Sequence, residues 1–396
     1  MTAALRTQVG IVGGGPAGLL LGHLLAREDI ESVVLEARSR EYVEQRVRAG
    51  VLEQGTVDLL KEVGVGERLE REGIVHEGLE VRFDGIPHRI PLAELTGGRT
   101  ITIYGQQKVV SDLTDARLAA GGPLLFEVDD VSVHDLDTGA PWIHFRHDGE
   151  AHTLHCGVIA GCDGYHGVTR DSIPTGVVTA YEREYPFAWL GVLAEVPPST
   201  EELIYCHHER GFALHSLRSP ELSRLYLQVD PSDRLEQWPD ERVWEELRTR
   251  FATRDGDWTL NEGPVVDKLI TPMRSLVVEP MRHGRLFLAG DAAHIVPATG
   301  AKGLNLAVHD VRVLAGVLAR WFAHGDEEGL ERYSEECLHR VWRVQHFSWW
   351  MTSLLHRPAG QDPFEHKLQR AQLRYLVRSR AAATTLAENY TGLASA

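Results

Sequence analysis

Apolar positions along the chain fall into three regimes. Near the start, the mostly apolar run from Gln8 to Val12 leads into Gly13-Gly14-Gly15-Pro16-Ala17-Gly18 and then an apolar helical pattern from Leu19 to Leu25. A second apolar stretch, Ser32 to Leu35, ends at Glu36. This order predicts strand, tight turn, helix and strand within about 30 residues. Gly157-Val158-Ile159-Ala160-Gly161 and Arg285-Leu286-Phe287-Leu288-Ala289-Gly290 read as two further buried strands, each running into a Gly-rich polar turn. Between them the period changes to two. Phe212, Leu214, Ser216 and Arg218 share one face of a predicted strand. On the next, Arg224, Tyr226 and Gln228 face one way while Leu225, Leu227 and Val229 face the other, and Pro220 in the connection suits an antiparallel hairpin. From Leu304, apolar residues recur at Val308, Val311, Ala315, Leu318 and Phe322, a helical spacing, and the chain from Leu330 onward also reads as helical. The predicted fold class is α/β, α+β overall. A doubly wound nucleotide-binding domain (1–179) carries an inserted, mostly antiparallel β-rich substrate domain (180–273), and 274–396 completes the first lobe and adds a helical C-terminal region.

Composition narrows this picture. With 396 residues, 43% hydrophobic and 25% charged, the chain is long enough for two or three lobes and has an ordinary globular make-up. The net charge of −16 argues against nucleic acid as a partner. No apolar run reaches membrane-spanning length, and the opening MTAALRTQVG has no secretory apolar stretch, so a cytoplasmic protein without a membrane partner is expected. The four cysteines (Cys156, Cys162, Cys206, Cys337) have no paired spacing, so neither a disulfide framework nor a metal site is expected.

Candidate chemistry begins at the glycine turn. Gly13, Gly15 and Gly18 allow a tight turn, close approach of backbone to a pyrophosphate, and close packing of helix on strand. The helix start then offers unpaired N–H groups to phosphate, and Glu36 can accept hydrogen bonds from ribose hydroxyls. This motif alone does not separate NAD from FAD. Two later turns favour FAD: Cys162-Asp163-Gly164 and Gly290-Asp291-Ala-Ala-His294 both follow predicted strands, where an α/β sheet binds its ligands. Asp291 is placed to reach a ribityl hydroxyl. Pro297-Ala298-Thr299-Gly300-Ala301-Lys302-Gly303-Leu304-Asn305 then opens a long helix, whose backbone N–H groups can face the flavin pyrimidine edge and stabilise its negative charge on reduction. Ser216, Arg218 and Tyr226, read alone, fit either an anion site or a solvated hairpin face. Tyr205 and Tyr390 fit core tyrosines equally well, and His76 a surface histidine.

These segments, together with Arg46-Val-Arg48-Ala-Gly-Val-Leu-Glu-Gln54, Val75-His76-Glu77-Gly78, Tyr104-Gly-Gln106, Tyr185-Pro-Phe-Ala-Trp189-Leu-Gly191, Leu203-Ile-Tyr205, Phe347-Ser-Trp-Trp-Met-Thr352 and Ala387-Glu-Asn-Tyr390, resemble the FAD-dependent aromatic hydroxylases, the group A flavoprotein monooxygenases. The resemblance covers essentially the whole chain and points to members acting on 4-hydroxybenzoate. It implies tightly but non-covalently bound FAD, with Arg46, Arg48, Gln106, Asp163, Arg224, Asp291, Gly300, Lys302, Leu304 and Asn305 among its contacts. Ser216, Arg218 and Tyr226 are implied to hold the substrate carboxylate, with Tyr205 and the Ala298 carbonyl at its phenol and Tyr390 behind. A proton path is implied to run outward to His76, a histidine near its free pKa of about 6.5. The implied reaction uses O₂ and NAD(P)H, and a flavin C4a-hydroperoxide attacks the substrate phenolate to give 3,4-dihydroxybenzoate. Trp189, Arg224, Lys302 and Asn305 match positions tied to flavin motion and charge, and Arg48, His166, Arg170 and Arg274 line the nicotinamide path. The C-terminal helices are implied to form a homodimer.

Two departures from the family pattern matter. The loop has Ala298 where a second proline is usual, which releases a fixed φ and predicts a more mobile loop and poorer coupling. After Glu36 comes Ala37 rather than Arg, which weakens selection of a 2′-phosphate, though Arg38 and Arg40 can compensate; NADH or dual use is expected. The competing readings are a hydroxylase of another hydroxybenzoate, a flavin-free NAD-dependent dehydrogenase, and a binding protein on the FAD-type scaffold.

Overall fold

The computed structural model describes residues 3–45 and 50–393. The N-terminal apolar runs form a six-stranded sheet in the order Arg282–His283, Leu286–Leu288, Val158–Gly161, Val9–Val12, Ser32–Leu35, Leu124–Leu125, parallel except at its first pair. Val9–Val12 and Ser32–Leu35 are buried at every position, as expected of a parallel sheet covered on both faces. The helices Pro16–Arg27, Gln106–Ala119 and Gly303–His324 supply that cover through Leu19, Leu20, Leu25, Val110, Leu113, Leu306, Val311 and Leu314.

The β-rich lobe is wider than the 180–273 expectation. Its eight-stranded sheet runs His294–Ile295, Val265–Glu279, Thr179–Glu195, Leu222–Val229, Ala213–Ser219, Ile204–His207, Leu79–Phe83, Ile86–Ile90, and so draws strands from both flanking segments. The predicted hairpin is present, and its strands run closer to the turn than expected, leaving only Pro220 and Glu221 between them. Alternation sorts its residues as read from the sequence. Ala213, Leu225, Leu227 and Val229 pack under the Asp240–Phe251 helix with Val243, Leu247 and Phe251. The other face, with Tyr205, Phe212, Leu214 and Trp189, packs against the Glu327–Leu355, Pro363–Arg378 and Arg380–Thr391 helices. A small sheet, Val51–Glu53, Ile101–Ile103 and Ile74–His76, completes the wall between the lobes. Among the described residues, no helix is long and apolar enough to cross a membrane.

Candidate active site

Two half-sites meet beside the Ala298–Gly300 turn. The first is a dinucleotide cradle. Gly13 has a φ of +107°, and a Cβ there would lie 2.3 Å from the Cys162 carbonyl oxygen; a Cβ on Gly18 would lie 2.0 Å from the Gly13 oxygen. Both glycines are therefore forced by packing. A Cβ on Gly15 would meet nothing within 4 Å, so at this position the backbone is bare toward open space. The Pro16–Arg27 helix begins there with no side-chain cap and no acidic residue in its first turn. Its free N–H groups suit a pyrophosphate. Glu36 ends the second strand with its carboxylate folded over the turn, accepting from the Gly14 amide at 2.7 Å and the Arg38 amide at 2.8 Å.

The long loop contributes a second helix start. Gly303–His324 likewise begins without a side-chain cap or an acid in its first turn, and a Cβ on Gly303 would meet nothing within 4 Å. Gly300 is buried against Ser348, and Leu304 sits in the first turn of the helix. Asn305 braces the loop, donating to the Val51 and Ala301 carbonyls and accepting from the Glu53 amide at 2.9 Å. Asp291 follows its strand in the turn Gly290–Ala292, and Gln106 opens the Gln106–Ala119 helix. Two uncapped helix starts, a bare glycine turn and a carboxylate at the end of the second strand fit the phosphates and ribose of FAD. Arg46 and Arg48 lie outside the described residues.

Two of the expected cofactor contacts, Asp163 and Lys302, also bond within the protein. Asp163 gives both carboxylate oxygens to Thr169, at 2.9 Å from its amide and 2.6 Å from its hydroxyl, and so braces its loop. Burial raises its carboxyl, although the Thr169 bonds pull it down. Lys302, 1% exposed, donates to Glu53 Oε1 at 2.7 Å and to the Tyr390 carbonyl at 2.8 Å. Glu53 shares its other oxygen with Arg340 at 2.6 Å. Burial alone would raise the Glu53 carboxyl, but the two facing cations outweigh it and hold it below the usual range. Glu53 and Arg340 were not singled out from the sequence; Glu53 lies 249 positions from Lys302, and no local pattern links them.

The second half-site lies on the hairpin, where register sets it out. Tyr226 pairs with Gly191 on one side and Leu214 on the other, and Leu214 pairs in turn with Tyr205, so these residues form one row on one face. Gly191 leaves room in that row: a Cβ there would come within 2.8 Å of the Arg224 guanidinium. Ser216 pairs with Arg224 in the next row. Arg218 Nη1 donates to Ser216 Oγ at 3.1 Å and to the Leu217 carbonyl at 2.8 Å, and its Nη2 lies 3.5 Å from the Tyr226 hydroxyl. Its Nε is buried without a partner, and no carboxylate pairs with it among the described residues. Burial lowers its pKa, which only sharpens the demand of this guanidinium for an anion. Arg224 itself lies over the Tyr226 ring and 3.5 Å from Asp267.

Tyr205 and Tyr390, distant in sequence and each 1% exposed, share a hydrogen bond of 2.5 Å. Burial pushes both hydroxyls up, so both hold their protons at neutral pH. His76 corrects the sequence expectation of a histidine near its free pKa. It is 1% exposed with neither ring nitrogen bonded, and burial pushes it down to about 4 despite the nearby Glu202. It is therefore not a surface histidine, and among the described residues no hydrogen bond joins it to the tyrosine pair. Ala298 starts the Ala298–Gly300 turn. His166, Arg170 and Arg274 gather around Tyr165: Arg274 donates to its hydroxyl at 2.6 Å, Arg170 to its carbonyl at 2.6 Å, and the His166 ring meets it edge-on.

Comparison with known proteins gives the family. Residues 6–348 match the FAD binding domain family. The chain is 50% identical, over 98% of its length and 96% of the relative's, to a p-hydroxybenzoate hydroxylase of Acinetobacter baylyi. It is 24% identical, over 83% of its length and 62% of the relative's, to a probable NADH-specific resorcinol 4-hydroxylase of Rhodococcus jostii. Among solved structures, p-nitrophenol 4-monooxygenase from Pseudomonas putida DLL-E4 superposes with a TM-score of 0.83 at 19% identity, covering 100% of both chains. The chain thus belongs to the FAD binding domain family and, within it, to the flavoprotein monooxygenases that hydroxylate aromatic compounds.

Proposed function

We propose that this monooxygenase converts 4-hydroxybenzoate to 3,4-dihydroxybenzoate, using O₂ and a transient nicotinamide reductant. The observation that carries the reading is Arg218, a guanidinium with no carboxylate partner among the described residues, set beside Ser216 and beside Tyr226, whose row ends at Tyr205. A benzoate carboxylate satisfies that fork of donors, and Ser216 and Tyr226 add hydroxyl donors. The ring then lies along the row with its phenol toward Tyr205 and the Ala298 carbonyl. When bound and reduced, FAD would supply the activation of O₂, from which the transferred oxygen atom comes. Gly13, Gly15, Gly18 and Glu36 would hold its pyrophosphate and ribose, Asp291 its ribityl chain, and Gly300, Leu304 and Asn305 its pyrimidine edge, with Arg46, Arg48, Gln106, Arg224 and Lys302 around it.

Removing the phenol proton raises the ring's reactivity toward an electrophilic oxygen. The Tyr205–Tyr390 pair serves this: Tyr205 takes the substrate proton as it passes its own to Tyr390. His76, neutral at pH 7, would hand the proton on to solvent at the far end of that path rather than keep it. Burial of both tyrosines keeps water from them, and water otherwise diverts the oxidant to H₂O₂.

The reductant binds along Arg48, His166, Arg170 and Arg274. Arg40 is engaged by Glu44 and Asp115, which leaves Arg38, stacked on Tyr42, as the cation nearest Glu36. This supports NADH or dual use. A homodimer is supported by the Pro363–Arg378 helix, which exposes Phe364, Leu368 and Tyr375 along one stripe. Chromatography of the turnover mixture tests the reaction: 3,4-dihydroxybenzoate is expected, and a different isomer or no aromatic product contradicts it.

A further inference from the structure

The Glu327–Leu355 helix buries a polar stripe where an apolar one would pack as well. Ser348, Thr352 and His356, four residues apart and each at most 1% exposed, point into the junction of the two half-sites. Burying polar groups is costly unless they are bonded, so a stripe of this kind asks for partners. The Ser348 hydroxyl has none among the described residues, whereas those of Thr352 and His356 belong to opposite walls of the site.

On the loop side, the Thr352 hydroxyl bonds the Thr299 hydroxyl at 2.9 Å and the Ser348 carbonyl at 2.7 Å. Gly300 is pressed so closely onto the helix that a Cβ there would sit 2.7 Å from Ser348 Oγ. The loop needs this anchor. Ala301 holds a φ of +54°, a conformation that strains a residue with a side chain, and among the described residues the Ala298 amide has only the Met273 sulfur, at 3.3 Å. On the substrate side, the Trp189 indole N–H donates to His356 Nε2 at 2.6 Å, while His356 Nδ1–H donates to the Thr352 carbonyl at 3.0 Å. The imidazole is clamped between Phe187 and Phe212 at centroid distances of 4.5 and 4.4 Å. The Trp189 ring in turn packs on Tyr226 at 4.9 Å. A continuous chain of contacts therefore runs Tyr226, Trp189, His356, Thr352, Thr299.

We propose that Thr352 and His356 are positioning residues that hold the substrate wall and the Ala298–Gly300 loop at a fixed separation, so that the oxygen atom reaches the ring instead of leaving as H₂O₂. This rests on the 4-hydroxybenzoate reading. Neither residue is placed to touch the reacting atoms; each acts through Thr299 or Trp189.

The test is Thr352→Val, which keeps the side-chain volume and removes the hydroxyl, with Thr352→Ser as the conservative control. In Thr352→Val, NAD(P)H oxidation and 4-hydroxybenzoate affinity should stay within about twofold of the parent, while the fraction of turnover ending in product falls at least about threefold. In the apoprotein, amide hydrogen exchange in 297–303 should quicken about tenfold, with the Val9–Val12 strand unaffected. Thr352→Ser should restore both. If Thr352→Val fails to fold, Thr299→Val removes the same bond from the loop and must show the same pair of effects. Where both singles fold, the double variant should be no worse than either. Unchanged product fraction and unchanged exchange in the folded variant overturn the proposal. An enzyme inactive on 4-hydroxybenzoate overturns the function reading instead, and the exchange arm still decides this one.

Discussion

Arg218 is the residue on which the chemistry turns. Its bonds go to a serine hydroxyl, a tyrosine hydroxyl and a carbonyl, so its charge is unmatched until an anion arrives. Arg218→Ala should weaken 4-hydroxybenzoate binding about a hundredfold, since hydrogen bonds to a charged group contribute about 1.5–3 kcal/mol each. FAD affinity should be unchanged; a spectral titration of the flavin measures both, and retained micromolar substrate binding would remove Arg218 from the carboxylate role. Tyr205→Phe attacks the other end of the ring. It should leave substrate-stimulated NAD(P)H oxidation largely intact and divert turnover to H₂O₂, read by peroxide assay; normal coupling would mean that Tyr205 handles no proton. At this scale the hairpin was legible because a period of two puts Ser216 and Arg218 on one face whatever the tertiary context. The unpaired state of His76 was not legible. Its burial comes from packing around the three-residue strand Ile74–His76, and its own neighbours in sequence say nothing of that.

Between elements, buried charge does the joining. The Val51–Glu53 strand, the loop before Gly303–His324 and the Glu327–Leu355 helix meet at Glu53, which faces Lys302 and Arg340. Removing one member of such a group strands the others without water, which costs about 3–5 kcal/mol. Glu53→Gln should therefore lower the unfolding free energy by about that amount, measured by denaturant titration of the apoprotein. A loss below about 1 kcal/mol would show that the cations relax to solvent. The His294–Asp310 pair, at 2.6 Å, works likewise on the second glycine turn: Asp310 also accepts from the Gly290 amide at 2.9 Å. Strands, turns and helices were readable because their signals are local. These charge groups were not, because their members sit on separate elements and meet only when the lobes close. The eight-stranded sheet outran its expected limits for the same reason: Leu79–Phe83 joins Ile204–His207 as a parallel neighbour, a pairing that no hairpin turn announces.

Across the whole molecule, buried histidines set the response to acid. His76, His207, His215 and His309 are each pushed down to about 4, and His356 to about 3, with burial the leading cause in every case. Their unfolded forms titrate near 6.5, so between pH 6.5 and 4 the unfolded chain binds more protons than the folded one. Their contribution to stability is thus complete above pH 6.5 and is lost as the pH falls toward 4, by up to about 1.4 kcal/mol per pH unit for each histidine. His294 opposes this, since Asp310 outweighs burial and raises its pKa. Thermal melts from pH 7 to pH 4 should show a steep fall in Tm; a flat profile would mean that these rings are hydrated in solution. The most direct test of the central claim is oxidation of NADH and of NADPH by the FAD-loaded protein, in parallel, with and without 4-hydroxybenzoate. Strong stimulation by 4-hydroxybenzoate, with NADH at least as effective as NADPH, is the expected result. No stimulation with either cofactor would contradict it, and the Arg218 seat would then belong to another aromatic acid.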